Sequence, residues 1–462
     1  MAGLSLPRSE LTDLPSIPAL LPVPVARLLD ELWSAGHAAY VVGGSLRDAL
    51  LGRVPADWDL ATDARPDRLL ALYPGALYKN RFGTVVVRRE GVAYEITTFR
   101  SEHEYEDHRR PTRVEFGRSI EDDLARRDFT INAMAWGRRP DEDAPTLIDP
   151  FGGARDVGQR LLRAVGDPHE RFEEDALRMI RAVRLAATLD ATIEAATLEA
   201  IRAHAGLAAH LSGERVATEL EKLLDAPRPS VGLRLMDETH LLDVVFPELA
   251  AQRGIPQDKA PGEDLLDHSI RSVDAAPADR PIVRLAALLH DVGKPSTLSD
   301  GHFHGHDAVG AEIATEILRR LRMPRAIAER VALLVRHHMF TYEPSWGDAA
   351  IRRFIRRIGA HALEELFELR EADNVGSGLA PESFGLTELR ARVRSQLADR
   401  VVLERSDLAI DGDDIISELG ADPGPALGRV LDELLERVIA DPALNDRPTL
   451  LVLAQELLDE DG

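Results

Sequence analysis

The spacing of apolar residues changes once along this chain of 462 residues, and that change limits what the chain can fold into. Strand-like patterns are confined to residues 36–135, with short apolar runs at 40–42 and 58–61 and an alternating hairpin pattern over 84–99. Beyond Asp156, apolar residues recur at every third and fourth position, which is typical of amphipathic helices. The pattern therefore predicts a small α/β unit near the N-terminus and a helical remainder.

The composition excludes several classes of protein. No stretch approaches the ~20 consecutive apolar residues that cross a bilayer, and residues 1–13 lack the basic start of a signal peptide. The chain has no cysteine, which excludes a disulfide scaffold, a cysteine-ligated zinc site and a thiol nucleophile. We therefore expect a cytoplasmic protein without a membrane partner.

The charge is unevenly distributed. The net charge of −23 is unusual for a nucleic-acid-binding protein, but residues 381–462 alone hold 19 acidic residues against 8 arginines. Residues 151–236 are almost neutral, with 12 basic and 13 acidic residues. Arginine supplies 52 of the 56 basic residues, and its planar guanidinium suits phosphates and base edges. The arginine-rich, nearly neutral part is therefore the better candidate for binding a nucleic acid.

Two glycines and two aspartates form the first candidate site. Gly43 and Gly44 follow a predicted strand and open a predicted helix, where backbone N–H groups can approach a phosphate, although a plain tight turn also explains them. Asp57 and Asp59 are two residues apart, so on a strand both carboxylates face the same way. Such acids repel each other unless a divalent cation lies between them. Glu95, on the predicted neighbouring hairpin, could supply a third ligand.

The same residues carry a resemblance that extends over residues 41–222. Val41–Asp48 together with Asp57–Asp59 resembles the head of the class II CCA-adding enzymes, which are tRNA nucleotidyltransferases related to bacterial poly(A) polymerases. Later motifs of that family are matched in order by Asp123–Met134, Asp149–Asp156, Glu174–Arg178 and Glu214–Lys222. The resemblance implies an enzyme that builds or repairs the 3′-terminal CCA of tRNA from CTP and ATP, without a nucleic-acid template.

The resemblance also implies residue roles. Because the paired acids of the family hold its catalytic magnesium ions, Asp57 and Asp59 are the expected Mg²⁺ ligands and catalytic residues. The expected nucleotide-binding residues include one glycine and four arginines: Gly44, Arg47, Arg127, Arg181 and Arg184. Alternatives remain open, since Arg127 could pair with an acid at 121–123, and the last two arginines could be solvent-facing charges on a helix.

Asp175 and Arg178 form the most informative pair. On a single helix they would be neighbours, and an intrahelical salt bridge of about 0.2–0.5 kcal/mol is one interpretation. The other is an amino-acid template for the incoming base. Cytosine and adenine each present an amino donor beside a ring-nitrogen acceptor, which a carboxylate and a guanidinium can match. Uracil and guanine present a carbonyl and an N–H there, so the pair would select C and A.

Two segments of the head bear on the product. The polar stretch Glu102–Pro111 lies between predicted strands and is expected to form a mobile loop. In the family such a loop accompanies addition of the terminal A, and enzymes that add only CC have a shortened one. Lys79–Val85 stands where bacterial poly(A) polymerases would have a basic, phenylalanine-containing element. Both segments favour complete CCA addition.

A second candidate site contains histidines and aspartates. His290-Asp291 ends an apolar run, and the order of His268, this pair and Asp373 resembles the HD-domain phosphohydrolases. Neutral imidazoles and carboxylates from separate helices suit a divalent metal such as Mg, Mn, Co or Ni. The resemblance implies that these four residues are ligands, and that His306 and His338 serve a second metal or bind phosphate.

We therefore predict a mainly α-helical chain with an N-terminal α/β head, in which a polymerase-β-like nucleotidyltransferase palm precedes all-helical RNA-binding and HD domains. The predicted division is a lead-in at 1–25, the head at 26–165, a helical nucleotide- and tRNA-binding domain at 166–255, the HD domain at 260–380 and a helical tail at 381–462. The expected partners are the tRNA 3′ end, CTP and ATP.

Several alternatives to complete CCA addition remain. Within the class they are a CC-only enzyme, an A-only enzyme and a poly(A) polymerase. An alternative of another class is an HD phosphohydrolase or 2′,3′-cyclic phosphodiesterase whose head only recruits tRNA. The presence of Asp57, Asp59, Asp175 and Arg178 argues against that last alternative, because a recruiting head has no need of a carboxylate pair or a base template.

Overall fold

The structure, a computed structural model, describes residues 17–79, 83–106, 110–117, 119–256, 263–398 and 402–460. The chain forms two compact units, Met1–Pro247 and Glu248–Gly462. Each unit buries its own apolar core, and each is described separately below. The finer five-part division stays a prediction.

The first unit is built on a mixed sheet. Its strands, in sheet order, are β3 (Leu77–Tyr78), β4 (Thr84–Arg89), β5 (Val92–Thr98), β2 (Asp59–Thr62), β1 (Ala39–Val42), β8 (Ala135–Arg138) and β9 (Thr146–Ile148). The pair β2–β5 is parallel and the other pairs are antiparallel. Strand β1 is buried along its whole length, because its sequence Ala-Tyr-Val-Val is apolar on both faces. The predicted strands and hairpin of the head are confirmed.

The register of β2 and β5 places two acids side by side. Asp59 is the first residue of β2 and lies opposite Glu95 of β5. Asp57 precedes the strand, so the expectation that both aspartates lie on one strand is wrong. The reason is local, because the edge of the paired segment falls at Asp59, opposite Val42 at the end of β1.

A separate hairpin follows β5. Strands β6 (Arg100–Glu106) and β7 (Arg110–Phe116) pair in antiparallel register, so the expectation of a loop over Glu102–Pro111 is wrong for the backbone that is described. Residues 107–109 of that segment lie outside the described residues. Pairing between strands uses backbone groups, and a polar sequence does not prevent it.

Helices surround the sheet and continue beyond it in the first unit. They are α1 (Ile17–Leu20), α2 (Val23–Ser34), α3 (Gly44–Leu50), α4 (Pro66–Leu72), α5 (Ile120–Ala125), α6 (Gly153–Gln159), α7 (Pro168–Glu174), α8 (Leu177–Leu189), α9 (Ala195–His204), α10 (Gly213–Leu224), α11 (Pro229–Glu238) and α12 (Leu241–Val245). Side-chain caps begin several of them. Ser119 accepts from two backbone N–H groups at the start of α5, and Asp167 accepts from one at the start of α7.

A break between α7 and α8 changes the relation of two predicted site residues. Asp175 lies between the two helices with an extended backbone, and its carboxylate accepts from the backbone N–H of Leu177 at 3.1 Å. The sequence predicted that Asp175 and Arg178 are neighbours on one continuous helix. This prediction is wrong, because α7 ends before Asp175 and α8 begins after it. An aspartate side chain that accepts from the backbone two residues on competes with the hydrogen bonds of a continuous helix, and this local preference decides the structure.

The second unit is helical. Its helices are α13 (Pro247–Ala250), at the boundary, α14 (Leu265–Ala275), α15 (Pro281–Leu289), α16 (Lys294–Thr297), α17 (His306–Arg320), α18 (Arg325–His337), α19 (Asp348–Ile358), α20 (Leu363–Gly376), α21 (Leu386–Ala398), α22 (Gly412–Leu419), α23 (Pro425–Ala440) and α24 (Arg447–Glu460). A reciprocal capping box between Asp264 and Asp267 begins α14. Helices α22 to α24 pack around a separate apolar cluster that includes Ile415, Leu434 and Leu450.

Short strand pairs occur beyond Asp156, where the spacing of apolar residues predicted helices. Leu161–Leu162 (β10) pairs with Thr192–Ile193 (β11), and Leu298–Ser299 (β12) pairs with His302–Phe303 (β13). Two-residue strands give no periodic signal in the sequence, which is why the prediction missed them. In the described part of the chain, no helix combines the length and apolar character required to traverse a bilayer.

Gly293 allows two elements of the second unit to approach closely. A Cβ atom at this position would lie 2.2 Å from the carbonyl oxygen of His306 and 2.6 Å from the backbone nitrogen of Gly310. Both contacts are with backbone atoms, which cannot rotate away. The glycine therefore fixes the distance between α16 and the start of α17.

We predict that Gly293→Ala destabilises the protein, because the backbone of α17 must move to accommodate one methyl group. Overpacking of this kind costs about 1–3 kcal/mol and lowers the melting temperature of a unit of this size by several degrees. Differential scanning calorimetry measures the change. Gly428→Ala, in α23, is the control. A Cβ atom at this position would meet nothing closer than 3.9 Å, and alanine is more favourable than glycine in a helix. Equal melting temperatures for the two variants would contradict the prediction.

Candidate active sites

A cavity of about 540 Å³ opens in the first unit beside Asp59, at the start of β2. Its walls carry six arginines and five acids: Arg100, Arg126, Arg127, Arg178, Arg181, Arg215, Asp59, Glu95, Asp123, Asp128 and Asp175. The backbone of Gly43 and Gly44 forms part of the wall. A volume of this size accommodates a nucleotide, and alternating charges suit a ligand that carries phosphates and a polar base.

Asp59 is a carboxylate of this cavity whose pKa is raised. Burial raises its pKa to about 6, and the negative charges of Asp57 and Glu95 act in the same direction. Arg127 and Lys79 oppose the shift without cancelling it. The carboxylate of Glu95 forms an ion pair with Lys79. Asp59 therefore lies in a region of excess negative charge, which a cation would stabilise.

Asp57, Asp59 and Glu95 do not bring three ligand atoms close together in the part of the chain that the structure describes. In the described residues, the groups of three ligand atoms within 4.8 Å of one another are both in the second unit, and neither includes Asp57, Asp59 or Glu95. The donors nevertheless fit Mg²⁺, because they are carboxylate oxygens and the charge of Asp59 lacks full compensation. The assignment of Glu95 as a third ligand stays a prediction.

Arg127 is held in the cavity wall by two contacts. It donates to Asp123 at 3.2 Å and to the carbonyl oxygen of Asn132 at 3.2 Å. A Cβ atom on Gly43, which has a φ of +72°, would lie 2.8 Å from the Arg127 guanidinium. The ion pair with an acid at 121–123 exists, and it holds the guanidinium in the cavity wall. The two interpretations of Arg127 are therefore compatible.

Separate partners orient Asp175 and Arg178. Asp175 accepts from Arg215 at 2.7 Å, while Arg178 donates to Glu174 at 2.6 Å and to the carbonyl oxygen of Arg126 at 2.9 Å. Because each side chain has its own support, they do not form the intrahelical salt bridge of the simpler interpretation. Both line the cavity, where a carboxylate and a guanidinium can face a base.

The other predicted arginines have different environments. Arg181 lines the cavity and pairs with Asp128 at 2.9 Å. Arg184 pairs with the buried Glu219 at 2.6 Å, so it is neither solvent-facing nor part of the described cavity wall. Arg47 donates to Asn132 at 2.7 Å and also lies outside that wall. Nucleotide binding by these three arginines stays a prediction.

Two supporting residues were not among the predicted site residues. Arg215 belongs to a motif that the sequence identified, yet its contact with Asp175 spans 40 residues and no local pattern reveals it. Asp123 is almost fully buried and accepts from Arg126 and Arg127. Burial raises the pKa of Asp123, but the two guanidinium groups outweigh burial and hold it below the usual value. An acid three and four residues before two arginines was the available signal.

The second candidate site is a buried cluster of four histidines and two aspartates. His268 lies on α14, His290 and Asp291 directly follow α15, His306 begins α17, His338 follows α18, and Asp373 lies on α20. Their ligand atoms form two groups, one of His268, His290 and Asp373 and the other of Asp291, His306 and His338. The structure thus brings together all six residues that the sequence predicted.

Asp291 lies between the two groups. Its Oδ2 atom is 3.4 Å from His268 Nε2 and 3.2 Å from His290 Nε2, and its Oδ1 atom is 3.4 Å from His306 Nε2 and 3.5 Å from His338 Nε2. One carboxylate therefore faces both sets of imidazoles, with one oxygen toward each. This arrangement allows Asp291 to be shared by two ions.

Backbone carbonyl groups fix the protonation of three rings. The Nδ1 atoms of His290, His306 and His338 lie 2.7–2.8 Å from the carbonyl oxygens of the residues three positions earlier. A carbonyl only accepts, so each Nδ1 carries the proton and each Nε2 presents a lone pair. Nε2 of His306 and of His338 is buried and makes no hydrogen bond with the described residues. These lone pairs face the Asp291 carboxylate, and a metal ion could bind both.

The electrostatic environment also favours neutral imidazoles, together with an ionised Asp291. Burial lowers the pKa of His290, which keeps its imidazole neutral. Burial raises the pKa of Asp291, but the surrounding rings outweigh burial and hold that pKa well below the usual value. Lys294 donates to Asp291 at 2.6 Å and was not assigned a role from the sequence. An ionised carboxylate among neutral imidazoles fits a divalent transition metal.

Three family models match successive parts of the chain. They are the poly A polymerase head domain over residues 39–163, the probable RNA and SrmB-binding site of polymerase A over 190–253, and the HD domain over 262–376. The first contains Asp57 and Asp59, and the third contains all six residues of the buried cluster.

Whole-chain relatives extend these matches. A CCA-adding enzyme of Geobacillus thermodenitrificans is 34% identical over 93% of this chain and 95% of its own length, and one of Streptococcus pyogenes is 33% identical over 93% and 96%. The crystal structure of the Bacillus stearothermophilus CCA-adding enzyme in complex with CTP is 30% identical, covers 96% of this chain and 99% of its own, and has a TM-score of 0.71. The chain therefore belongs to the CCA-adding enzymes, a family of nucleotidyltransferases, and carries an HD domain.

Proposed function

We propose that this protein adds and repairs the 3′-terminal CCA of tRNA, using CTP, ATP and Mg²⁺ in the cavity of the first unit. The observation that carries the proposal is the shared cavity, because Asp59 lies in the same wall as Asp175 and Arg178. Reaction chemistry and base choice are therefore available at one place. Such a function would place the protein in the cytoplasm, where tRNA is processed.

The head residues have separable tasks in this proposal. Asp57 and Asp59 would hold the magnesium, which supplies charge neutralisation at the α-phosphate and an acidified RNA 3′-hydroxyl. Arg127, positioned by Asp123 and Asn132, offers a guanidinium to the triphosphate. The hairpin Arg100–Phe116 begins at the cavity wall, because Arg100 lines the cavity and its backbone N–H lies 3.4 Å from the Asp123 carboxylate. Its presence supports complete CCA addition over addition of CC alone.

Base selection follows from the fixed polarity of two side chains. Asp175 presents acceptors and Arg178 presents donors, so cytosine and adenine match both. Uracil and guanine would oppose a carbonyl to the carboxylate and an N–H to the guanidinium. The contact of Arg215 with Asp175, at 2.7 Å, keeps the carboxylate oriented during this choice.

We further propose that the buried cluster of the second unit is a metal-dependent phosphohydrolase site. His268, His290, Asp291 and Asp373 would hold one divalent ion, and His306 and His338 would hold a second that shares Asp291. Such ions supply an activated water to a phosphate ester. Phosphomonoesters and 2′,3′-cyclic phosphates are the proposed substrate class.

Nucleotide addition to defined tRNAs tests the main proposal. The protein is incubated with Mg²⁺, one labelled nucleoside triphosphate and tRNAs that end at the discriminator base, at C or at CC. We expect C, C and A to be added in that order, with no incorporation of U or G. Long A tails would instead identify a poly(A) polymerase, and arrest after CC would identify a CC-adding enzyme.

We predict that Asp175→Ala or Arg178→Ala relaxes base choice more than it weakens triphosphate binding, because each variant removes one half of the base template. Discrimination against UTP and GTP should fall by about tenfold or more, since one good base contact is worth about 1–3 kcal/mol. The measurement is kcat/KM for each triphosphate. Arg202→Ala is the control, since Arg202 pairs with Glu199 and Glu238 at the surface. Unchanged selectivity would overturn the template assignment.

The raised pKa of Asp59 predicts a pH dependence that magnesium modifies. Below about pH 6, Asp59 becomes protonated and loses its ligand charge, so magnesium affinity should fall by about tenfold per pH unit. Addition rates between pH 5 and 8 should therefore show an acidic limb near pH 6 at low Mg²⁺, and that limb should move to lower pH as Mg²⁺ rises. An acidic limb at the same pH for every magnesium concentration would contradict the prediction.

We predict that His290→Ala or Asp291→Ala eliminates hydrolysis of a 2′,3′-cyclic nucleotide, while nucleotide addition continues. Loss even of a residue that supports a ligand costs about 10–100-fold in metal affinity, and these residues are direct candidates. Hydrolysis is measured with Mg²⁺, Mn²⁺, Co²⁺ and Ni²⁺. His304→Ala is the control, because His304 is exposed and outside the cluster. A wild-type protein inactive with every metal would show that the cluster is structural.

A further inference from the structure

An exposed aromatic side chain in the second unit adopts an unfavourable backbone conformation. Phe384, in the turn between α20 and α21, has a φ of +63° and a ψ of +31°, and 60% of its surface is exposed. Left-handed backbone conformation is costly for a residue with a bulky side chain, and exposure of an aromatic ring adds to that cost. Neither feature improves the packing of the unit.

Phe384 is the exposed end of a chain of ring and guanidinium contacts that begins in the core. The guanidinium of Arg370 lies 5.8 Å from the centre of the Phe340 ring and 5.3 Å from the centre of the Phe384 ring. Phe340 in turn packs against Phe354, with ring centres 5.3 Å apart. Planar groups therefore follow one another from the interior to the surface. The position beyond Phe384 is open to solvent.

The same arginine connects these contacts to the buried cluster of histidines and aspartates. Arg370 donates to Asp373 Oδ2 at 3.1 Å and approaches the carbonyl oxygen of His338 at 3.4 Å. Asp373 Oδ1 lies 3.3 Å from His268 Nε2 on its other side. A single guanidinium thus separates the exposed ring from two residues of the hydrolytic site.

The turn that carries Phe384 is fastened to the helix that carries Asp373. Asn374, which is buried, donates to the carbonyl oxygen of Pro381 at 2.8 Å, and its own carbonyl oxygen accepts from Leu379 at 2.8 Å. On the other side of Phe384, Gly385 lies so close to Tyr342 that a Cβ atom would be 2.9 Å from its ring. The aromatic platform is therefore held in a fixed place relative to the cluster.

We propose that Phe384 is a nucleobase-stacking platform of the HD site, so that this site prefers phosphate esters that carry a base. This inference rests on the proposed hydrolase function and specifies its substrate class as nucleotides, either free or at an RNA end. The phosphate lies at the cluster, and the base stacks on the exposed face of Phe384, opposite the face that contacts the Arg370 guanidinium. Stacking on an aromatic ring needs no particular base, and purines gain more because their rings are larger.

Paired substrates with and without a base test the proposal. The probes are adenosine 2′,3′-cyclic phosphate and glycerol 1,2-cyclic phosphate, which have the same reacting group, with the intact protein loaded with Ni²⁺, Co²⁺ or Mn²⁺. The readout is the ratio of kcat/KM for the two compounds. Phe384→Ala should lower this ratio by about 5–100-fold through KM of the adenosine compound, which is the range of one base stacking interaction. Phe384→Trp should restore it.

Leu379→Ala is the matched control, because Leu379 is an exposed apolar residue in the same turn. It should keep the wild-type ratio. If the wild type hydrolyses the adenosine compound and Phe384→Ala keeps the wild-type ratio, the platform is wrong and the hydrolase assignment stands.

A binding measurement decides the case in which the wild type hydrolyses neither compound. That result removes the hydrolase assignment, and fluorescence quenching of 2-aminopurine riboside 3′-monophosphate by the metal-loaded protein then tests the platform alone. Weaker binding by Phe384→Ala than by the wild type supports the platform. Equal binding overturns it.

Discussion

Carboxylate charge held away from bulk water is the constraint on which both sites of this protein depend. In the first unit, Asp59 begins a strand beside Glu95 and near Asp57, and burial with these neighbours raises its pKa to about 6. In the second unit, Asp291 is buried too, but the surrounding imidazoles hold its pKa low, and Lys294 donates a hydrogen bond to it. The first arrangement leaves negative charge that favours a hard cation with oxygen ligands, and the second supplies nitrogen ligands for a softer one.

The fold meets this constraint by placing the reactive side chains at the ends of regular elements. Asp59 begins β2, Asp175 separates α7 from α8, His290 and Asp291 follow α15, and His306 begins α17. At the end of a helix or strand the backbone leaves its regular conformation, so a side chain there can point into the site while the rest of the element stays packed in the core. Long-range partners such as Arg215 for Asp175 then fix the orientation. Arg370 does the same for Asp373 over a short distance.

The sequence predicted the elements and most of the site because those features are local. Alternating and helical periodicities identified the sheet and the helices, and Asp57, Asp59, Asp175, Arg178 and the histidines belong to short motifs. It failed where tertiary or competing local contacts decide. The hydrogen bond from the Leu177 backbone to the Asp175 side chain replaces helical pairing in a predicted helix, and backbone pairing forms the β6–β7 hairpin in a polar stretch. The pairing of Arg184 with Glu219, 35 residues away, has no local signature.

We propose that Asp57 and Asp59 supply the charge for nucleotidyl transfer, whereas arginines elsewhere supply the affinity for RNA. The most direct test is the protein in which both aspartates are replaced by alanine, assayed for single-nucleotide addition to tRNA and, in parallel, for tRNA binding. We expect addition to be abolished and the dissociation constant for tRNA to change little. Residual addition above about a few per cent of wild type, at a normal folded fraction, would contradict it and place the catalytic carboxylates elsewhere.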